Sequence, residues 1–287
     1  MKIDELPPLR AVLEANKLSP TKALGQNFLL DLNLTARIAR SAEPLDGCTV
    51  IEVGPGPGGL TRALLQSRAE RVLAVEKDQR TQAIMDALSQ TEEGQERGFR
   101  VHFGDALDMD LLVETQAPRA VVANLPYNVA TPLLVRWLRD MWAEPGAYRS
   151  LTLMFQREVV DRIVARPGDK AYGRLAVLTA LTIAAAERQF DVPAQAFTPP
   201  PKVTSAIVRL DGRADSPGPL SLFHQIERVT AAAFGQRRKM LRQSLKSVVP
   251  EAEGFLEALG LKPTARAEEL EPDAFRAMAL ALDGANV

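Results

Sequence analysis

Over the first half of the chain, apolar positions gather in short runs separated by longer amphipathic stretches. Thr49-Val50-Ile51-Glu52-Val53, Val72-Leu73-Ala74-Val75-Glu76, Arg100-Val101-His102-Phe103, Ala120-Val121-Val122-Ala123-Asn124 and Leu151-Thr152-Leu153-Met154-Phe155 are such runs. Near-continuous apolar strands belong to sheets covered on both faces, the setting of parallel strands joined by helices. Helical periodicity is expected at residues 60–66, 80–88 and 131–141, between those strands. The alternation predicts an α/β fold. Lys202-Val203-Thr204-Ser205-Ala206-Ile207-Val208-Arg209-Leu210 alternates and predicts one added strand. Asp211-Gly212-Arg213-Ala214-Asp215-Ser216-Pro217-Gly218-Pro219 is rich in turn formers and reads as a linker. Beyond it no strand-like run follows. Residues 222–249 and 252–259 read as helical, and Pro272-Asp273 opens a last helix. Two domains are expected, 1–212 and 213–287, the second small and all-helical.

Composition narrows the class. The 287 residues leave room for two domains, and 46% apolar with 25% charged residues is a globular balance. No stretch approaches the roughly 20 apolar residues of a membrane helix. Met1-Lys2-Ile3-Asp4-Glu5 carries acids and no apolar run, so no signal peptide is expected. A cytoplasmic setting fits the single cysteine, Cys48, which sits in an apolar run and reads as a small core residue. His102 and His224 lie far apart and with one cysteine cannot form a usual zinc site, so no metal is expected. A net charge of -1 excludes a uniformly basic nucleic-acid binder and leaves a local basic face open. No oligomeric state follows from the sequence, and a monomer is favoured.

The chemistry begins at Glu52-Val53-Gly54-Pro55-Gly56-Pro57-Gly58-Gly59-Leu60-Thr61, which follows a strand and opens a helix. Glycines such as Gly54 and Gly56 let the backbone turn sharply and approach a ligand. Dinucleotide enzymes share this spacing, so it is weak alone. Pro55 and Pro57 lack the N–H donors that a pyrophosphate needs, whereas S-adenosylmethionine, which has no phosphate, tolerates their absence. Glu76 ends the second strand, where an acid meets ribose hydroxyls. Asp105 follows the third strand in Gly104-Asp105-Ala106-Leu107 and could accept from the cofactor's adenine amine; alone, a turn or helix cap is the better reading. The joint order, glycine loop and then two strand-end acids, resembles the class I methyltransferase cofactor site.

Asn124-Leu125-Pro126-Tyr127-Asn128 follows the fourth strand, on the ligand side of such a sheet. An exocyclic adenine amine is a poor nucleophile because its lone pair conjugates with the ring. Two acceptors that hold its hydrogens turn the lone pair toward a methyl donor. The Asn124 amide oxygen is one, and a backbone carbonyl of Leu125-Pro126 the other. Tyr127 offers a face on which an extruded adenine can stack. Catalysis of this kind needs positioning and electrostatics rather than a dedicated base or metal.

Four segments carry a more specific resemblance: Lys22-Ala23-Leu24-Gly25-Gln26-Asn27-Phe28-Leu29, Asn124-Leu125-Pro126-Tyr127-Asn128, Phe197-Thr198-Pro199-Pro200-Pro201-Lys202-Val203 and Phe234-Gly235-Gln236-Arg237-Arg238-Lys239-Met240-Leu241. With them the chain resembles the bacterial 16S ribosomal RNA adenine dimethyltransferases, the KsgA family, over about residues 22–245. The resemblance implies a Rossmann-like class I methyltransferase sheet, mostly parallel with one antiparallel strand. It implies that Asn27 and Leu29 contact S-adenosyl-L-methionine, that Gly54 lies under its methionine part, and that Glu76 binds the ribose and Asp105 the adenine. Asn124 would touch cofactor and target amine, Tyr127 would stack on the target base, and Phe197 would close its other face. Four transfers would yield N6,N6-dimethyladenosine at two adjacent adenosines in a hairpin near the 3′ end of 16S rRNA, in the small subunit or its precursor, late in assembly.

Arg237, Arg238, Lys239, Arg242 and Lys246 have no acid between them. A solvated helix face explains such a cluster as readily as RNA, and the base-handling loop tips the balance to RNA. Arg157, Arg162, Arg166, Lys170 and Arg174, interleaved with Tyr172, form a second candidate strip. The rivals are a 23S rRNA adenine methyltransferase, a DNA adenine methyltransferase, which would need a large target-recognition domain, a nonenzymatic RNA-binding assembly factor, and a nicotinamide-dependent oxidoreductase, which leaves Asn-Leu-Pro-Tyr unexplained.

Overall fold

Each of the five apolar runs forms a strand. In the computed structural model, which describes residues 1–21 and 24–284, the strands are β1 (Phe28–Leu29), β2 (Thr49–Val53), β3 (Arg71–Glu76), β4 (Arg100–Phe103), β5 (Arg119–Asn124), β6 (Ser150–Gln156), β7 (Ala185–Val192), β8 (Phe197–Thr198) and β9 (Ser205–Asp211). Lys22 and Ala23, which open the N-terminal signature, lie outside the described residues. Seven strands make one sheet in the order β4-β3-β2-β5-β6-β9-β7, and β1 pairs with β8 in a separate two-stranded ribbon. β4 through β6 are parallel, and β9 runs antiparallel to β6 with Met154 opposite Ile207 and Gln156 opposite Ser205. This is the expected Rossmann-like class I methyltransferase sheet.

β2 is buried along its whole length, as are β5 up to Asn124 and β6 up to Gln156. That burial on both faces is why these runs carry no polar alternation. The strand order changes direction at β2, between β3 and β5, which opens a crevice at the carboxyl ends of these strands.

The structure departs from the sequence expectations at three places. The added strand begins at Ser205, three residues after Lys202, because Pro199, Pro200 and Pro201 precede it and the segment between is irregular. β7 was not expected. It is a sheet-edge strand whose side chains are mostly half-exposed, so its apolar signal is weak. Beyond Gly212, residues 222–249 are not one helix. Leu220–Gly235 is a helix, residues 236–240 break it, and a short helix resumes at Leu241–Ser244.

The chain divides into two compact units. The first holds Met1–Arg136, Gly146–Arg157 and Glu187–Gly212, with a core that includes Val50, Val72, Leu64 and Ile207. The second holds Trp137–Pro145, Glu158–Ala186 and the chain from Arg213 onward, so it draws on two earlier segments besides the C-terminal stretch. Its core is aromatic: Trp142 meets Phe223 edge-on at 5.4 Å, and Phe234 stacks on Phe275 at 5.4 Å. Among the described residues no helix is long and apolar enough to cross a membrane.

Candidate active site

One cavity in the first unit is lined by Asn27, Leu29, Gly54, Gly56, Glu76, Asp105, Asn124, Leu125, Pro126, Tyr127 and Phe197. Every residue singled out for cofactor or base handling therefore reaches a single site, although the residues come from six separate stretches of chain.

The floor is the glycine loop. Gly54 and Gly56 have φ of +73° and +54°, a region that a side chain disfavours. A Cβ at Gly56 would stand 3.2 Å from the Phe28 ring. The loop's N–H groups are already engaged inside the protein. Gly54 donates to the Val75 carbonyl (2.9 Å), Gly58 to the Pro55 carbonyl (3.0 Å) and Gly56 to Glu76 Oε2 (2.9 Å). Pro55 and Pro57 have none to give. Residues 54–58 thus present no free N–H donor, and the first unpaired N–H groups come at the start of the helix Gly59–Leu65.

Three carboxyl groups line the cavity. Glu76 accepts the Gly56 N–H on one oxygen and the Asp78 N–H (2.8 Å) on the other. Each oxygen keeps a lone pair for one further donor, the pattern a ribose diol requires. Burial raises the Glu76 carboxyl above its ordinary value, and the N–H groups of Asp78 and Gly56 draw it back. Asp105 Oδ2 pairs with Lys77 Nζ at 2.7 Å, and Oδ1 accepts the Leu107 N–H at 3.0 Å. The Lys77 ammonium, and then that N–H, hold the Asp105 carboxyl below its usual range, so it stays an acceptor. Arg136 secures the same loop by donating to the carbonyls of Ala106 and Leu107.

Glu52 is the third, and sequence reasoning assigned it no role. Its side chain is 1% exposed and Oε2 has no hydrogen-bond partner among the described residues. Burial pushes this carboxyl up to about 8; the nearby Thr61 hydroxyl draws it down and the charge of Glu76 adds to the rise. An acid inside the apolar run Thr49–Val53 was the available signal.

At the carboxyl end of β5, the Asn124 side chain makes no hydrogen bond within the described residues, so its amide is free to face a ligand. The Pro126 carbonyl accepts from both Val129 N (3.1 Å) and Ala130 N (3.1 Å) and caps the helix Tyr127–Ala143. With Pro126 committed, Leu125 supplies the free backbone acceptor of the loop. Tyr127 opens the helix with its ring half-buried and its hydroxyl 2.6 Å from Ser205 Oγ. Phe197 is buried and pairs through β8 with Leu29 of β1. The N-terminal segment is tied down by Gln26, which donates to Asp78 Oδ2 (2.9 Å) and accepts from Thr21 N (3.0 Å).

Comparison with known proteins agrees with this geometry. The family model described as ribosomal RNA adenine dimethylase matches residues 18–283. The chain belongs to that family. It is 52% identical over 282 residues to the ribosomal RNA small subunit methyltransferase A of Rhodospirillum rubrum, covering 98% of this chain and 94% of that protein. Among solved structures, a dimethyladenosine transferase from Plasmodium falciparum superposes with a TM-score of 0.73 at 23% identity, covering 90% of this chain and 98% of that one. The 23S rRNA methyltransferase ErmE superposes with a TM-score of 0.65 at 29% identity, covering 90% and 100%.

Members of the rRNA adenine dimethylase family use S-adenosyl-L-methionine, and the cavity's donor set fits that molecule. Glu76 keeps a lone pair on each oxygen for a diol, Asp105 is an ionised acceptor, and the orphaned Oε2 of Glu52 is a buried polar atom without a partner inside the protein. Residues 54–58, with no free N–H group, suit a ligand part that carries no phosphate.

The basic cluster of residues 237–246 lies in the second unit and is partly neutralised. Arg237 pairs with Glu268, and Arg242 with Glu253 at 3.1 Å. Arg238, Lys239 and Lys246 are exposed and carry no ion pair among the described residues. Arg237, Arg238 and Lys239 sit in the break after the helix Leu220–Gly235 rather than on a helix face. In the second strip Tyr172 is not available for stacking: it is buried, donates its hydroxyl to the Leu270 carbonyl (2.9 Å) and meets Phe234 edge-on. Arg157, Arg162 and Arg174 of that strip pair with Asp191, Glu158 and Glu227.

The raised Glu52 carboxyl has a consequence for stability. Its folded value of about 8 lies above the ordinary 4.5. Its contribution is therefore fully present below pH 4.5 and is lost as pH rises toward 8. Glu52→Gln should leave Tm nearly unchanged at pH 5 and raise it at pH 8.5, as read by thermal unfolding of the protein alone. An equal shift at both pH values would show that Glu52 is ionised in the fold.

Proposed function

We propose that this protein transfers methyl groups to the N6 amines of two adjacent adenosines in a hairpin near the 3′ end of 16S rRNA. The substrate is the small ribosomal subunit or its precursor, late in assembly, in the cytoplasm. The observation that carries the reading is the pair of free acceptors, the Asn124 amide and the Leu125 carbonyl, beside Tyr127 in the same cavity as the strand-end carboxylates. S-adenosyl-L-methionine, when bound, supplies the electrophilic methyl group.

Asn124 and the Leu125 carbonyl accept the two amine hydrogens and turn the nitrogen lone pair out of conjugation. Tyr127 stacks on the extruded adenine, and Phe197 closes its far side. After the first transfer one N–H remains, and one acceptor suffices to hold it while the other face admits the methyl. Asn27, Leu29, Gly54, Gly56, Glu76 and Asp105 hold the cofactor. Arg238, Lys239 and Lys246 supply positive charge to RNA phosphates, with Arg237 and Arg242 beside them.

The choice of small-subunit over large-subunit RNA rests on the 52% identity to the ribosomal RNA small subunit methyltransferase A of Rhodospirillum rubrum, against 29% to the 23S rRNA methyltransferase ErmE. Methyl transfer from labelled S-adenosyl-L-methionine to small subunits lacking the modification, followed by nucleoside analysis, tests it. N6,N6-dimethyladenosine in the small-subunit RNA is the expected product. Label confined to large-subunit RNA would replace the substrate.

Asn124→Ala should lower the transfer rate by at least about a hundredfold, the scale of losing a preorganised polar group, while RNA affinity is retained. Loss of RNA binding by the folded variant would refute the assigned role. Converting Arg238, Lys239 and Lys246 together to Glu should flatten the salt dependence of RNA binding by about 2 in log–log slope, with cofactor affinity unchanged. An unaltered slope would move the RNA contact elsewhere.

A further inference from the structure

The ring proposed to stack on the target base is held at both ends. Its Cα end is fixed because Tyr127 follows Pro126, whose carbonyl accepts two N–H bonds at the start of the helix Tyr127–Ala143. Its far end is fixed because the hydroxyl lies 2.6 Å from Ser205 Oγ, at the short end of O–H···O distances. Ser205 is fully buried and begins β9, where it faces Gln156, the last residue of β6. The antiparallel ladder from Ser150–Asp211 to Gln156–Ser205 anchors that hydroxyl to the sheet, 78 residues along the chain from Tyr127. An aromatic side chain left unpinned would sample rotamers and lose that freedom when a base arrives.

We infer that Ser205 is a positioning residue for methyl transfer, whose hydroxyl fixes the Tyr127 ring in its base-stacking orientation before the RNA binds. The inference rests on the assignment of Tyr127 as the stacking ring. Burial lifts the Tyr127 phenol above its ordinary value, so it stays neutral, and the Ser205 partner compensates its desolvation. A serine that only satisfied a half-buried phenol would affect folding stability. A serine that orients the ring must also affect the RNA side of the reaction, and through the same bond as the Tyr127 hydroxyl.

Ser205→Ala, Tyr127→Phe and the double variant separate these roles, with small ribosomal subunits lacking the modification as substrate. Each single change should lower kcat/KM for the RNA by about fivefold, the effect of one neutral hydrogen bond. The double variant should show the same loss rather than the product of the two, because both remove one interaction. The Kd for S-adenosyl-L-methionine, measured by calorimetry, should stay within about twofold in all three, since the pair does not touch the cofactor carboxylates. Losses that multiply in the double variant, or single variants with unaltered kcat/KM, overturn the positioning role. Tyr127→Ala distinguishes the two levels. If it is fully active, the stacking assignment fails and the inference with it. If it is inactive while Ser205→Ala and Tyr127→Phe are unaffected, stacking stands and the positioning role alone fails.

Discussion

The carboxylate of Glu76 is the joint on which the cofactor cavity depends. One oxygen accepts from Gly56 in the glycine loop and the other from Asp78 in the turn after β3. The first bond holds the loop in a left-handed conformation that no side chain would stabilise. The second sets Asp78, which in turn accepts from Gln26 and Arg80. Arg80 reaches Thr21 Oγ1 at 2.8 Å, and Gln26 accepts from the Thr21 N–H. Loop, strand end and N-terminal segment are thereby one hydrogen-bonded network, and it is buried where it begins. Breaking it at Glu76 would strand two backbone donors, a larger loss than one missing ligand contact.

The same network explains why one sequence motif serves a nucleoside-bearing cation rather than a dinucleotide. A phosphate cradle needs free N–H groups pointing at the ligand. Here those groups are absent at Pro55 and Pro57 and turned inward at Gly54, Gly56 and Gly58, which leaves only the helix start at Gly59 to offer any. What the loop offers is close approach of backbone, and what the strand ends offer is carboxylate. Lys77 at Asp105 does not cancel that preference: it keeps the acid ionised while leaving each oxygen a lone pair.

The parts of the site legible in the sequence were those whose chemistry is local. Gly54, Gly56, Asn124, Pro126 and Tyr127 stand in short motifs at strand ends, and the strands themselves are marked by burial on both faces. Ser205 could not be found that way, because its meeting with Tyr127 depends on β9 entering antiparallel beside β6. Glu52 was visible as an acid in an apolar run, yet only the cavity shows that one oxygen is orphaned. β7 escaped because a sheet edge permits half-polar faces. The helix expected over residues 222–249 failed at its basic segment, where charge pattern and helical reading coincided and the backbone breaks at 236–240.

Charge is distributed unevenly across the cavity, and that asymmetry bears on the chemistry. Glu76 and Asp105 stand at the ends of β3 and β4, with the buried, uncharged Glu52 carboxyl beside them in β2, on the side that would receive a cation. The side that would receive the adenine amine is built from an amide, a carbonyl and two aromatic rings, Tyr127 and Phe197, with the phenol kept neutral by burial. A carboxylate next to the amine could take a proton, but it would also compete for the sulfonium's charge and misplace the donor. Neutral acceptors polarise the N–H bonds without offering a rival site for the cation. They also tolerate the second transfer, since an acceptor that loses its hydrogen after the first methylation is left neutral rather than as an unpaired buried charge. Dimethylation at one nitrogen would therefore be better served by an amide at position 124 than by an acid in its place.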